Sequence, residues 1–553
     1  MLGDESAPGA TIPPVPSRKV EQGLLARRAG VVGGAVLASR VLGLVREQTF
    51  AVLFGAGREL DAFVTAFRIP NLLRDLFAEG ALSAAFVTTF TQRFERRGAE
   101  DAWRLANVVL TTLVLIVGPI CLLGIAFAPE LTTAIAPGFH DIPGKHELTV
   151  HLARIMSPFL LLVALAALVM GVLNSRNRFA VPALASAFFN AGSIVGGVAC
   201  AWWMAPDYVA GIWRSLGGGG APPTAAAERA ITGMAIGTLL GGALQLAIQI
   251  PSLQRIGFRF RPLVRLHDPG LRQVLRLMGP ATVGAAAVQV NVFVNSNFAS
   301  HMGDGPVSWL NVAFRFMQLP IGLFGVAVGT VALPALSRHV ARNDPAALAG
   351  TLRHALTLTA ALSVPAAAGL ALFGTPIIGL VYEHGRFGPT DTAAAASALA
   401  GYAVGLAGYA GIKIVTPAFY ALDDVGTPMR VSLLSIALNL GLNWTFVHVM
   451  GFGHAGLAVS TSLVALVNFA LLAFVLRRRI GSYGVGLPAM LGRVLAATAV
   501  MSAAAVGADA LLCSLGSPAY YARVGVILLA ALPVFAVACR WLAIPLPRIP
   551  GRP

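Results

Sequence analysis

Charge is scarce in this sequence. Only 12% of its 553 residues are Asp, Glu, Lys or Arg, about half the share of a soluble domain, whereas 56% are hydrophobic. That balance excludes an ordinary water-soluble domain. Cysteine is nearly absent. Cys121, Cys200, Cys513 and Cys539 stand singly in apolar stretches without CxxC spacing, as small buried hydrophobes do, not as metal or redox pairs. Histidines are scattered with no HExxH or similar spacing, so no metal site is expected. Nucleotide motifs are missing too. Gly138 to Lys145 has one intervening residue too many for a phosphate loop. Gly451-Phe452-Gly453-His454-Ala455-Gly456 spells the dinucleotide fingerprint between two apolar runs, with no acid before Asp509. ATP-driven pumping and a bound cofactor are not expected.

What the sequence does have is apolar runs of roughly twenty residues, the length that crosses ~30 Å of hydrocarbon as a helix. They are placed near 30–55, 61–90, 105–127, 150–173, 180–204, 231–253, 274–298, 306–336, 349–375, 391–421, 429–449, 456–476, 488–512 and 520–540. The fold class expected is an all-α polytopic membrane protein of about fourteen spans. Residues 1–28 are polar, carry Pro8, Pro13, Pro14 and Pro16, and contain no apolar stretch. They read as a disordered cytoplasmic tail and not as a signal peptide.

The formal charge of +16 follows the positive-inside rule and is not a nucleic-acid footprint. Bases gather at Arg93, Arg96, Arg97 and Arg104, then from Arg255 to Arg276, then at Arg477, Arg478 and Arg479. Loops on the other side carry few: Arg58, Lys145, Arg214, Arg229, Arg386 and Arg523. Both termini are therefore expected in the cytoplasm.

Two stretches 247 residues apart read alike: Val64-Thr65-Ala66-Phe67-Arg68 and Asn311-Val312-Ala313-Phe314-Arg315. Asn190-Ala191-Gly192 and Asn439-Leu440-Gly441 continue the pattern. The expected organisation is an N-lobe of six spans (29–254), a basic cytoplasmic linker (255–272), a C-lobe of six spans (273–480), and two extra helices with a tail (481–553). Repeats in the same orientation hold a substrate between the lobes and rock about it.

Some ionised residues fall inside spans: Arg40, Arg46, Arg68, Arg74, Arg154, Arg315 and Lys413, with Glu47, Asp61, Asp75 and Glu79. An arginine at mid-bilayer costs about 2.5–3.5 kcal/mol on insertion scales, so such residues face a bundle interior or a wet cavity. Seven-residue spacing puts Arg40 with Glu47, and Ser39 with Arg46, on one side of span 1. Bases exceed acids, so pairing leaves residual positive charge and an anionic guest is expected. The fixed charge and bidentate fork of arginine suit phosphate or pyrophosphate.

The segment Ser39-Arg40-Val41-Leu42-Gly43-Leu44-Val45-Arg46-Glu47 resembles the MurJ (MviN) family closely. So do Phe54-Gly55-Ala56-Gly57, Pro70-Asn71-Leu72-Leu73-Arg74 and Phe77-Ala78-Glu79-Gly80-Ala81. These are lipid II flippases of the multidrug/oligosaccharidyl-lipid/polysaccharide exporter superfamily. Gly325-Val326-Ala327-Val328-Gly329-Thr330 and Pro417-Ala418-Phe419-Tyr420-Ala421 continue the likeness.

The resemblance implies two lobes in a V around a cationic cavity, with the last two helices grooved for a lipid tail. It places the family's essential arginines at Arg40, Arg46, Arg74 and Arg315 and its required acid at Asp61, with Ser39 and Glu47 lining the cavity. There are departures. Glu47 stands where aspartate is common, and Phe314 replaces an aspartate of some members. The amides Asn291, Asn295, Asn439, Asn443 and Asn468 lack the acids of a sodium site.

The expected function is alternating-access flipping of lipid II in the bacterial inner membrane, with no covalent step, no cofactor and no nucleic acid. Lipid II and membrane lipids are the expected partners. Cell-wall synthesis enzymes are among the partners the resemblance allows, and the chain is expected to act as a monomer. Three alternatives stay open. A multidrug exporter would want an acidic cavity, and another polyprenyl-oligosaccharide flippase would want a similar basic one. A membrane enzyme on polyprenyl phosphates would need paired acids, which only Asp423-Asp424 approaches.

Overall fold

In hydrocarbon each backbone N–H must find its partner within the chain, which leaves helix as the economical conformation for apolar runs. The computed structural model describes residues 18–77, 81–218, 223–481, 486–516 and 518–544. Side chains of 18–32, 75–77, 81–84 and 279–288 lie outside that description. Among the described residues there is helix and no strand.

The N-terminal half holds α1 (Arg18–Phe54), α2 (Arg58–Phe77), α3 (Ala81–Ala126), α4 (Ala128–Ile135), α5 (Lys145–Met156), α6 (Phe159–Ser175), α7 (Ala180–Met204), α8 (Pro206–Leu216), α9 (Ala227–Ala247) and α10 (Ile250–Arg255). The C-terminal half holds α11 (Pro269–Ser300), α12 (Pro306–Pro320), α13 (Ala327–Ala341), α14 (Pro345–Leu372), α15 (Gly374–Tyr382), α16 (Pro389–Ala421), α17 (Gly426–Trp444) and α18 (Gly453–Ile480). Then come α19 (Leu487–Ser514) and α20 (Tyr520–Trp541), which pack on each other and on α14 and α15.

Eleven helical segments among the described residues are long and apolar enough to cross a membrane. α1, α2 and α11 fall outside that group. α1 carries Arg40, Arg46 and Glu47 in its described part, and the described side chains of α2 and α11 do not run for the length of a span. The chain is thus an all-helical, multi-pass membrane protein.

Boundaries differ from the sequence reading in three places. α1 starts at Arg18, so residues 18–28 extend the first helix instead of belonging to a disordered tail. Pro-rich composition ends at Pro16, and nothing after it breaks a helix. Of the run expected as one span over 61–90, α2 and α3 hold 61–77 and 81–90, with 78–80 outside the described residues, and the stretch 91–104 between two expected spans is helical as well. α3 is itself broken at Gly98, whose φ of 83° is a left-handed conformation that glycine accepts readily. The linker ends sooner than Arg272, since the Asp268 side chain caps α11 by accepting from the amides of Gly270 and Leu271.

Glycine sets the tightest contacts. On the α7–α9 seam a Cβ at Gly237 would lie 2.1 Å from the Gly197 Cα, so the two backbones touch. In the C-terminal half the equivalent closeness is between α16 and α18, where a Cβ at Gly405 would lie 2.5 Å from the Ser462 Cα. A π-helical turn over Ile321–Val326, following Pro320, joins α12 to α13.

Candidate functional site

α1 and α2 each turn one face toward a common space. On α1, Gly43, Arg46, Glu47 and Phe50 follow helical spacing. On α2, Val64, Phe67, Arg68, Asn71 and Arg74 do the same. These faces line a cavity of about 430 Å³, completed by α6, α7, α9 and, from the C-terminal half, by Asn311 and Arg315 of α12. Among the described residues four arginines line it (Arg46, Arg68, Arg74 and Arg315) against one acid, Glu47.

Glu47 is shared. Arg46 Nη2 donates to its Oε1 at 2.7 Å, and Arg315 Nη2 reaches the same oxygen at 2.9 Å. Arg46 also lies over the Phe189 ring, its Cζ 5.0 Å from the centroid. One carboxylate cannot balance four guanidiniums, and desolvated charge costs several kcal/mol per ion unless it is paired. Among the described lining residues guanidiniums outnumber carboxylates four to one.

Arg68 crosses to α11, donating to Ser296 Oγ, and lines a second cavity of about 330 Å³ with Asn291, Asn295, Tyr402, Lys413 and Asn468. Arg68 and Asn311 belong to both cavities. The two positions related by the 247-residue offset therefore act reciprocally: Arg68 of α2 reaches α11, and Arg315 of α12 reaches α1. Asp61 and Ser308, separated by the same offset, touch directly, with Asp61 Oδ1 accepting from Ser308 N at 2.8 Å and from Ser308 Oγ at 2.6 Å.

The remaining sequence candidates are placed differently. Asp61, in the first turn of α2, is fully buried and is not itself in the lining of the arginine cavity; it accepts also from Gly305 N at 2.7 Å and from Lys145 Nζ at 2.9 Å. Lys145, read from the sequence as a loop base, is fully buried. It donates in addition to Asp304 Oδ1 at 2.8 Å and Gly303 O at 3.1 Å, and stands 4.3 Å from the Phe139 ring centroid. With that many partners a buried ammonium is compensated. Arg386 closes the same end: its amide donates to Val52 O at 3.0 Å and its guanidinium to Tyr208 Oη at 3.0 Å.

Ser39 meets α7 through its backbone, its carbonyl accepting from Asn190 Nδ2 at 3.0 Å. Arg40 is exposed outside the lining of the first cavity, where a Cβ on Gly322 would stand 3.6 Å from its Nη2. Arg154 is exposed too, its Nε donating to Ile125 O at 3.3 Å. The side chain of Asp75 and residue Glu79 lie outside the described residues.

Among the amides weighed for a cation site, Asn443 Nδ2 donates to Asn295 Oδ1 at 2.8 Å and Asn295 Nδ2 to Thr461 Oγ1 at 2.9 Å. Among the described residues the oxygens Asn291 Oδ1, Asn443 Oδ1 and Asn468 Oδ1 are buried without a hydrogen-bond partner. Phe189, Asn190 and the double role of Arg68 were not legible as site features, although the Arg68–Arg315 offset was the available signal for the last.

A family model described as "Lipid II flippase MurJ" matches residues 50–526. "Lipid II flippase MurJ" of Burkholderia cenocepacia is 35% identical over 81% of this chain and 83% of its own. "Probable lipid II flippase MurJ" of Rhizobium meliloti is 36% identical over 87% and 86%. Among solved structures, "Lipid II flippase MurJ, inward closed conformation" superposes with a TM-score of 0.72 at 24% identity, covering 93% of this chain and 99% of that one. An inward-facing multidrug resistance MATE family transporter of the MOP superfamily superposes with a TM-score of 0.65 at 16% identity, covering 82% and 98%. These last two likenesses speak for the fold.

Proposed function

Because the chain belongs to the MurJ family of lipid II flippases, we propose that it carries lipid II across the inner membrane by alternating access, its pyrophosphate held in the arginine-lined cavity. The family is one of transporters, and peptidoglycan precursor export, not catalysis, is the activity. The observation that carries the reading is the cavity itself: four arginines from both halves of the chain converge around one glutamate. A pyrophosphate supplies the missing negative charge and accepts bidentate bonds from guanidinium forks.

Within this reading Arg46 and Arg74 are the main anion clamps and Arg315 answers from the C-terminal half. Arg68 joins them, and Glu47 orients Arg46 and Arg315. Arg40, with Ser39 beside it on α1, lies at the approach to the cavity. Asp61 has a different task. Bound to Lys145 and Ser308, it clasps the two halves at the outer end, so the substrate enters from the cytoplasmic side. The reciprocal contacts of Arg68 and Arg315 and the Asp61–Ser308 contact support two six-helix lobes of common origin, because equivalent positions meet only near an axis relating the two copies. Fourteen spans with both termini cytoplasmic complete the picture, α19 and α20 taking the lipid tail.

A multidrug exporter is disfavoured by the sign of the cavity, since a cationic drug would be repelled. The test is complementation. A bacterium depleted of its lipid II flippase is expected to resume growth when this chain is expressed, with lipid II no longer accumulating on the cytoplasmic leaflet. Continued accumulation with the chain present at normal abundance overturns the proposal.

A further inference from the structure

An apolar space lies beside the linker that joins the two halves, lined by other residues of α6 and α9 than those in the arginine-lined cavity: Leu165 and Val169 where that cavity has Phe159 and Val163, and Leu246 where it has Thr238 and Gln245. α3 contributes Leu110 and Val114, α6 contributes Leu165 and Val169, and the end of α9 contributes Leu246. Together with α10 and the first linker residues they enclose about 790 Å³. Its wall is aliphatic, and its rim carries Arg259.

The rim is built, not accidental. After Gly257, with φ of 89°, the chain runs extended along α3. Asn107 clamps it twice, donating to Arg259 O at 3.3 Å and accepting from Arg261 N at 2.8 Å, and Thr111 Oγ1 accepts from Leu263 N at 3.0 Å. Phe258 is buried against Trp103, ring centroids 5.6 Å apart. This clamping leaves Phe260 at 55% and Val264 at 61% exposure, alternating with exposed Arg259, Arg261 and Arg265.

The apolar span ending in α10 stops at Arg255, so these residues begin where the hydrocarbon ends. None of Arg255, Arg259, Arg261 and Arg265 is paired with a carboxylate among the described residues. Aliphatic walls below and unpaired guanidiniums above match one kind of guest.

We infer that this groove is a binding site for an anionic phospholipid of the surrounding bilayer, one acyl chain in the aliphatic space and the headgroup phosphate on Arg259 and Arg261. The site is independent of the transport cavity. The acyl chain gains close dispersion contacts with the aliphatic wall, and a basic residue at the membrane surface adds attraction for anionic headgroups.

The test uses the purified full-length protein in neutral detergent, titrated with dioleoyl phosphatidylglycerol or dioleoyl phosphatidylcholine, with bound lipid counted by native mass spectrometry. One phosphatidylglycerol per chain is expected to bind about tenfold more tightly than phosphatidylcholine. The exposed pair change Arg259→Gln with Arg261→Gln is expected to remove that preference at an unchanged melting midpoint. Val114→Trp, at a half-exposed wall position, is expected to weaken both lipids by filling the groove. Equal affinity of the two lipids in the wild type overturns the inference, as does a preference that survives the arginine changes. Full affinity in Val114→Trp overturns it too. So does displacement of phosphatidylglycerol by undecaprenyl pyrophosphate, which would make the groove a substrate entry.

Discussion

Glu47 Oε1 lies 2.9 Å from Arg315 Nη2, joining the first helix of the N-terminal half to the second helix of the C-terminal half inside the arginine-lined cavity. The same oxygen holds Arg46 at 2.7 Å. A single carboxylate thereby fixes one guanidinium from each half of the chain.

Glu47→Gln is expected to release Arg46 and Arg315 from their shared carboxylate. Substrate binding should be kept or tightened, because the anion gains an unopposed partner, while the flipping rate falls about tenfold through loss of a charge-assisted bond of ~1.5–3 kcal/mol. Binding and rate measured on the same reconstituted vesicles separate the two. Equal loss of both argues that Glu47 touches the substrate instead of orienting its arginines.

The buried clasp predicts strong coupling in stability. Breaking a buried ion pair by removing one partner costs about 3–5 kcal/mol, since the other charge is stranded. Asp61→Asn and Lys145→Met should each lower the melting midpoint of the purified protein sharply. Lys145 keeps Asp304 as a second carboxylate, so Asp61→Asn should be the milder change. The double variant should be more stable than the sum of the singles implies. Additive losses contradict the clasp.

Much of this was legible in the sequence and some was not. Helical length and the exclusion of charge follow from the cost of exposing polar groups to hydrocarbon, so the apolar spans could be read directly. The face shared by Arg46 and Glu47 follows from helical spacing. Spacing does not say which helix a face meets. The resemblance gave Asp61 as a required acid without saying what it meets, and its carboxylate accepts from Gly305 and Ser308 at the start of α12. Lys145 looked like a loop base because the residues around it are polar, and its burial depends on partners 84 and 159 positions away.

Close helix packing gives a further prediction. A methyl on Gly237 would stand 2.1 Å from the Gly197 Cα, and backbone cannot yield as a side chain does. Gly237→Ala is expected to destabilise by about 1–3 kcal/mol or more, as overpacking does. Gly350→Ala, at a helix position with nothing within 4 Å, should be neutral or slightly stabilising. Thermal unfolding of the two variants side by side checks this, and equal midpoints contradict it.

The linker should loosen in acid. Burial alone would raise the Asp268 carboxyl, but the hydrogen bonds from Arg93 and the Gly270 amide outweigh it and hold the group below its ordinary value of 3.8. Its stabilisation is therefore complete above that ordinary value and is lost as pH falls through the lower folded one. Limited proteolysis near Arg265 should be slow at neutral pH and quicken below about pH 4. Asp268→Asn should show the fast rate already at neutral pH. A variant as resistant as the wild type contradicts the anchoring role.

The cationic cavity is tested most directly by flipping of fluorescently labelled lipid II in proteoliposomes carrying Arg46→Ala together with Arg74→Ala. Each guanidinium that bonds the pyrophosphate is worth ~1.5–3 kcal/mol, so a loss of at least about a hundredfold is expected, with the protein folded and inserted as the wild type is. Flipping at the wild-type rate in that variant contradicts the assignment of the arginine-lined cavity as the headgroup site.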